Sequence, residues 1–202
     1  MKKFRRIGLA VLTACVLTML MVQAALANPG NNKTDISAAV VTGGTETQIY
    51  DGTPKVPKIV VKLNNVDITN DVKIDYVTDN KEIGLVKFNV EGKGKYTGKV
   101  ANTFEFKIIP AATVQNKPAR LKKGFKAKWQ EVKGGCFYEI QYKLKGTSKW
   151  KTKTSKSLTT FSKSVKKLKA KKYYKIRIRA YKVVAGVKYA GAWSKTKTVR
   201  TK

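Results

Sequence analysis

The chain has 202 residues, with 43 Lys and Arg against 12 Asp and Glu, a net charge of +31, and no histidine. The missing imidazole removes the commonest general base and a common metal ligand, which argues against hydrolytic triads and histidine-held metal centres. A hydrophobic content of 42% is enough for a packed core and argues against a disordered polycation.

Lys2, Lys3, Arg5 and Arg6 precede an apolar run over residues 7–22. That run is short for a bilayer span, which needs about 20 residues. Ala25-Leu26-Ala27 supplies a small-x-small cleavage site, so residues 1–27 read as an export signal with the mature chain starting at Asn28. Leu12-Thr13-Ala14-Cys15 offers a competing reading as a lipoprotein signal, with Cys15 lipidated. Cleavage after Ala27 leaves Cys136 alone, without an intrachain disulfide, and stability then rests on packing. Residues 28–34 are rich in Asn, Gly and Lys and read as a flexible leader.

From Ile36 onward, short alternating runs broken by turn signals predict an all-β chain of two tandem sandwiches. In the first, residues 58–63 form a β-branched strand ended by Asn64-Asn65. Residues 73–77 and 85–90 alternate, Gly92-Lys93-Gly94 makes a hairpin turn, and residues 103–108 close the unit with Phe104, Phe106 and Ile108 on one face. The order of Tyr50-Asp51-Gly52, Pro54, Pro57, Asp75-Tyr76, residues 92–98 and residues 104–110 resembles an immunoglobulin-like repeat of Gram-positive surface proteins. The resemblance implies a stalk or spacer unit over residues 35–110 and brings no functional residues with it. Residues 111–112, after Pro110, read as a short, stiff linker.

In residues 113–202 the period of two is clear. Phe125, Ala127 and Trp129 form one set, Tyr138, Ile140 and Tyr142 a second, and Tyr174, Ile176, Ile178 and Ala180 a third. Phe161 and Val165 mark another strand. With Trp129 as a core tryptophan, Leu168 six residues before Tyr174, and Trp193-Ser194 ahead of Val199-Arg200-Thr201, the segment resembles a fibronectin type III domain. The resemblance implies a tyrosine corner at Tyr174, whose hydroxyl would bond to upstream backbone. It also implies that the third, sixth and last strands share a sheet. Residues 183–192, read as the penultimate loop, contain no Arg-Gly-Asp.

The second half has two carboxylates, Glu131 and Glu139, too few for a paired acid-base site. Asp51, Asp67, Asp71 and Asp79 stand in turn contexts. The four-residue recurrence of Asp67, Asp71, Asp75 and Asp79 would suit calcium if it lay on one helix face, but the segment reads as strand and turn. The sequence therefore predicts no catalytic, cofactor or metal site, and no enzyme.

The charge is concentrated. Residues 28–112 hold 11 Lys and 10 acids, whereas residues 113–202 hold 28 Lys and Arg against two acids, a net of +26. Confining that charge costs self-repulsion, which a counter-charged partner would offset. Alternation puts Lys175, Arg177 and Arg179 on the outward face, beside Lys143, with Lys195 and Lys197 on the last strand unless a bulge turns either one. Lys163, Lys166, Lys167, Lys169, Lys171 and Lys172 form a second cluster before Tyr173. The expectation is a secreted or surface-associated, non-catalytic binding or structural module whose basic domain meets anionic wall polymers such as teichoic acid. Non-specific binding of nucleic acid or glycosaminoglycan, and a passive spacer or adhesin fragment, stay open as alternatives.

Overall fold

The computed structural model describes residues Lys33–Lys202. The export-signal readings, Cys15 included, and residues 28–32 lie outside the described residues. The first half runs through β1 (Thr34–Asp35), β2 (Val40–Gly43), β3 (Gln48–Ile49), β4 (Ile59–Leu63) and β5 (Val66–Asp67). A 3-10 turn at Thr69–Asp71 leads to β6 (Val72–Tyr76), β7 (Gly84–Gly92), β8 (Tyr96–Thr97) and β9 (Phe104–Ile109). Strands β2, β4 and β5 make one sheet, β3, β9, β7 and β6 another, and β1 pairs with β8. Asn64 and Asn65 both adopt positive φ, 48° and 65°, as a tight β4–β5 hairpin requires. Val61 and Leu63 from the first sheet, with Val86, Phe88, Phe106 and Ile108 from the second, fill the core of the half.

The turn reading of the aspartates holds. Asp51 accepts from the Thr53 N–H at 2.8 Å, Asp67 from Thr69 at 2.9 Å and Asp79 from Lys81 at 2.7 Å. Among the described residues no group of three or more carboxylate or thiol side chains is gathered as a metal cage. Other acids of this half pair locally: Glu91 bonds Lys73 at 2.7 Å and Lys99 at 2.6 Å, which holds its carboxyl down at about 2.

The second half contains β10 (Ala119–Leu121), β11 (Gly124–Lys128), β12 (Phe137–Leu144), β13 (Lys151–Thr154), β14 (Ser162–Val165), β15 (Tyr173–Val184), β16 (Val187–Ala190) and β17 (Lys197–Arg200). One sheet is β10-β11-β14. The other is β13-β12-β15-β16, with β17 also on β15. The third, sixth and last strands thus share a sheet. The segment read as the penultimate loop is instead a hairpin. Ala185 and Gly186, at φ 48° and 79°, turn β15 straight into β16. The last strand is split between β16 and β17, with Gly191 and Ser194 bonding Ala180 and Ile178 across the gap at 3.0 and 2.7 Å.

Aromatic rings tie the layers together. Phe125 meets Tyr142 edge-on at 5.8 Å, and Tyr138 lies 5.2 Å from Trp129 and 6.0 Å from Phe161. The Tyr138 hydroxyl accepts the Val132 N–H at 2.8 Å. The Tyr174 hydroxyl accepts the Lys169 N–H at 3.1 Å, so the tyrosine corner is present with backbone as the donor.

Among the described residues, no strand before residue 110 pairs with a strand after residue 118, yet the halves touch. Pro110 is buried, and its carbonyl lies against Gly191 so closely that a Cβ there would clash. A Cβ on Gly134 would sit 2.7 Å from Ile83 and 3.0 Å from the Tyr50 ring. Lys182 reaches Glu82 at 3.5 Å. Pro110 and Ala111 are therefore packed against Gly191 at a seam.

Candidate functional site

The long strands β12 and β15 pair over eight positions and build the outer face of the larger sheet. The register sets Lys143 opposite Lys175, Gln141 opposite Arg177 and Glu139 opposite Arg179. Alternation predicts a flat basic face with some aromatic edges here. Arg177 and Arg179 are instead half-buried in a stack. The Lys143 ammonium lies 4.9 Å from the Trp150 ring centre. The Arg177 guanidinium sits 4.5 Å from both Trp150 and Trp193, and Arg179 lies 4.4 Å from Trp193. Guanidinium is flat and weakly hydrated, so it intercalates between indoles where an ammonium would stay in water.

Polar partners fix the stack from below. Gln141 accepts from Arg177 Nε and Nη2 at 2.9 and 2.7 Å. Glu139, only 8% exposed, accepts from Arg179 at 2.7 Å and from Lys188. Burial pushes the Glu139 carboxyl up, but the bonds from Lys188 and Arg179 outweigh it and hold the group below its ordinary value. Two of the expected binding cations are therefore engaged inside the fold.

The remaining candidates divide further. Lys197 pairs with Ile176, so Thr198 and not Lys197 faces Lys175. Lys195 precedes β17 and is exposed. Lys163 is not with the loop lysines. It lies on β14 opposite Ala127, on the same side as Val165, and is half-buried at a sheet edge. An inward charge of that kind discourages pairing of the edge with another chain. Lys166, Lys167, Lys169, Lys171 and Lys172 are all exposed on the β14–β15 loop, where Lys167 and Lys171 adopt φ 60° and 54°.

Between this loop and the end of β12 runs a groove of about 410 Å³. It brings Lys143 together with Lys167 and Lys169, and adds Lys149 and Lys151, which the sequence reading passed over. The signal is Lys149-Trp150-Lys151, an alternation at a strand start. Leu144, Leu168 and Tyr174 form part of the lining. None of Lys149, Lys151, Lys167 and Lys169 joins an ion pair among the described residues. Among those residues, too, no helix is long and apolar enough to cross a membrane.

No protein-family model and no curated protein sequence matches the chain. Among solved structures, the chicken CNTN1 FN1-FN3 domains are similar over 85% of this chain and 68% of that chain, at 13% identity and a TM-score of 0.43. A myokine structure is similar over 46% of this chain and 97% of that chain, at 17% identity and a TM-score of 0.39. The second half is a β-sandwich, with the three-stranded layer β10-β11-β14 packed on the β12–β15 sheet.

Proposed function

We propose that the chain is an exported, non-catalytic surface module in which residues 35–110 form an immunoglobulin-like spacer and residues 113–202 form a basic fibronectin type III domain. The basic domain associates with anionic polymers of the cell wall, teichoic acid first among them. The observation that carries this reading is the charge division: 28 Lys and Arg against two acids in residues 113–202, beside 11 Lys against 10 acids in residues 28–112. One of those two acids, Glu139, is already occupied by Arg179 and Lys188, so the basic surface has almost no internal compensation. The resemblance of the first half to repeats of Gram-positive surface proteins agrees with this setting.

The test is fractionation of the native cells into wall, membrane and medium. The protein should stay with the wall at low salt and be released by a salt wash, because neutralising phosphates frees counterions and the affinity falls steeply with ionic strength. Retention in the membrane fraction through Cys15, or release that ignores salt, would sink it. Tighter retention on DNA or heparin than on wall polymer at equal salt would favour the alternative partners.

A further inference from the structure

The groove at the end of β12 is lined by Lys143, Lys149, Lys151, Lys167 and Lys169. We propose that this groove seats a short run of a polyol-phosphate chain, with phosphates on the rim lysines and carbon spacers on the apolar lining. The inference rests on the reading of the second half as a binder of anionic polymers, and gives it a place and a ligand class.

Three observations carry it. The first is where free charge is left. Arg177 and Arg179 are committed to indole rings and to Gln141 and Glu139. Lys149, Lys151, Lys167 and Lys169 are exposed and unpaired among the described residues, and they line one groove. Lysine is a compact point charge that suits phosphate without demanding a fixed fork.

The second is the lining. Leu144 and Leu168 are half-buried and line the same groove as the lysines, so it offers apolar surface beside positive charge. A ligand that alternates phosphate with short carbon segments matches both. The third is the absence of a base-stacking platform in the groove. Tyr142 and Tyr174 are 7% and 6% exposed, and the Tyr174 hydroxyl is engaged by the Lys169 N–H. Single-stranded nucleic acid binds by stacking bases on presented rings, which these are not. A second hollow of about 470 Å³, lined by Lys123, Lys167 and Ala170, adjoins through Lys167–Lys169 and continues the basic track.

The test uses the full chain and two variants of equal charge. The groove variant carries Lys149→Gln, Lys151→Gln, Lys167→Asn and Lys169→Gln, with asparagine chosen for the positive φ at residue 167. The control carries Lys117→Gln, Lys128→Gln, Lys133→Gln and Lys156→Gln, all exposed and away from the groove. Thermal melts check that both fold. The probe is a poly(glycerol phosphate) oligomer of about ten units, titrated at low salt beside inorganic polyphosphate, heparin and single-stranded DNA of matched charge. The groove variant should lose at least tenfold in affinity for the glycerol-phosphate oligomer, and the control less than threefold. Equal losses in the two variants would overturn the groove and leave diffuse polyanion binding standing. Polyphosphate binding as tightly as the glycerol phosphate would overturn the role of the carbon spacers. Preference for heparin or DNA would overturn the ligand class. If the parent chain binds none of the four, the functional reading beneath the groove fails as well.

Discussion

Glu139 is an acid in a half with almost no others, and it is buried between two cations. Its folded pKa lies below its unfolded value, so its stabilisation is fully present above the ordinary carboxylate range and is lost as pH falls through the depressed folded value. Acid titration of thermal stability should therefore show a loss below about pH 4.5 that Glu139→Gln flattens, together with a loss of about 1–2 kcal/mol at pH 7. An unchanged acid limb in the variant would mean that the carboxyl is not depressed. Tyr174→Phe removes the acceptor of the Lys169 N–H and should cost about 1–2 kcal/mol, read by chemical denaturation. A variant as stable as the parent would show that the corner hydroxyl contributes nothing.

At the level of elements, the stack Lys143–Trp150–Arg177–Trp193–Arg179 joins β12 and β15 to the residue just before β13 and to the segment between β16 and β17. Trp193 holds two guanidinium contacts, so Trp193→Ala should loosen the split last strand and cost about 1–3 kcal/mol. Amide exchange at Ser194 and along β17 should rise more than at β11, and uniform protection would contradict a bracing role. Much of this half was legible in the sequence. Period two exposed the inward sets on β11, β12 and β15, and the Leu168–Tyr174 spacing marked the corner. What alternation could not show was the fate of the outward set. The same spacing that makes Arg177 outward also aligns it with two tryptophans from distant segments, and that alignment depends on tertiary register. Lys197 lies on the last strand as expected, with the phase that a bulge had left open, whereas Lys163 was grouped with the loop because β14 is too short to fix a phase from four residues. In the first half, β4, β6, β7 and β9 were legible, while two-residue strands such as β1, β3 and β8 carry no period of their own and form only where a neighbouring strand pairs with them.

At the scale of the molecule, the packed seam should couple the unfolding of the two halves. Gly134 has φ +98° and almost no room for a side chain against Ile83 and Tyr50. Gly134→Ala is strained on both counts and should destabilise by about 1–3 kcal/mol. Two separate unfolding transitions in the variant, where the parent shows one, would reveal the seam as the source of coupling. A single unshifted transition would show that the seam contributes little.

Cys136 gives that seam a chemical reporter. It stands two residues from Gly134, is 2% exposed, and has its thiol pushed up by burial to about 11. Only the thiolate attacks an alkylating reagent, and in the closed protein the sulfur is both covered and protonated. Alkylation at neutral pH then counts excursions in which the start of β12 lifts away, and its rate is set by how often they occur. The groove lies at the opposite end of the same strand, about 23 Å away at the usual rise per residue. A polymer held there should leave the labelling clock of the Cys136 peptide, followed by mass spectrometry, running at its old rate, and Gly134→Ala should speed it. A strand that bears load at one end can thus report on slippage at the other without being part of the grip.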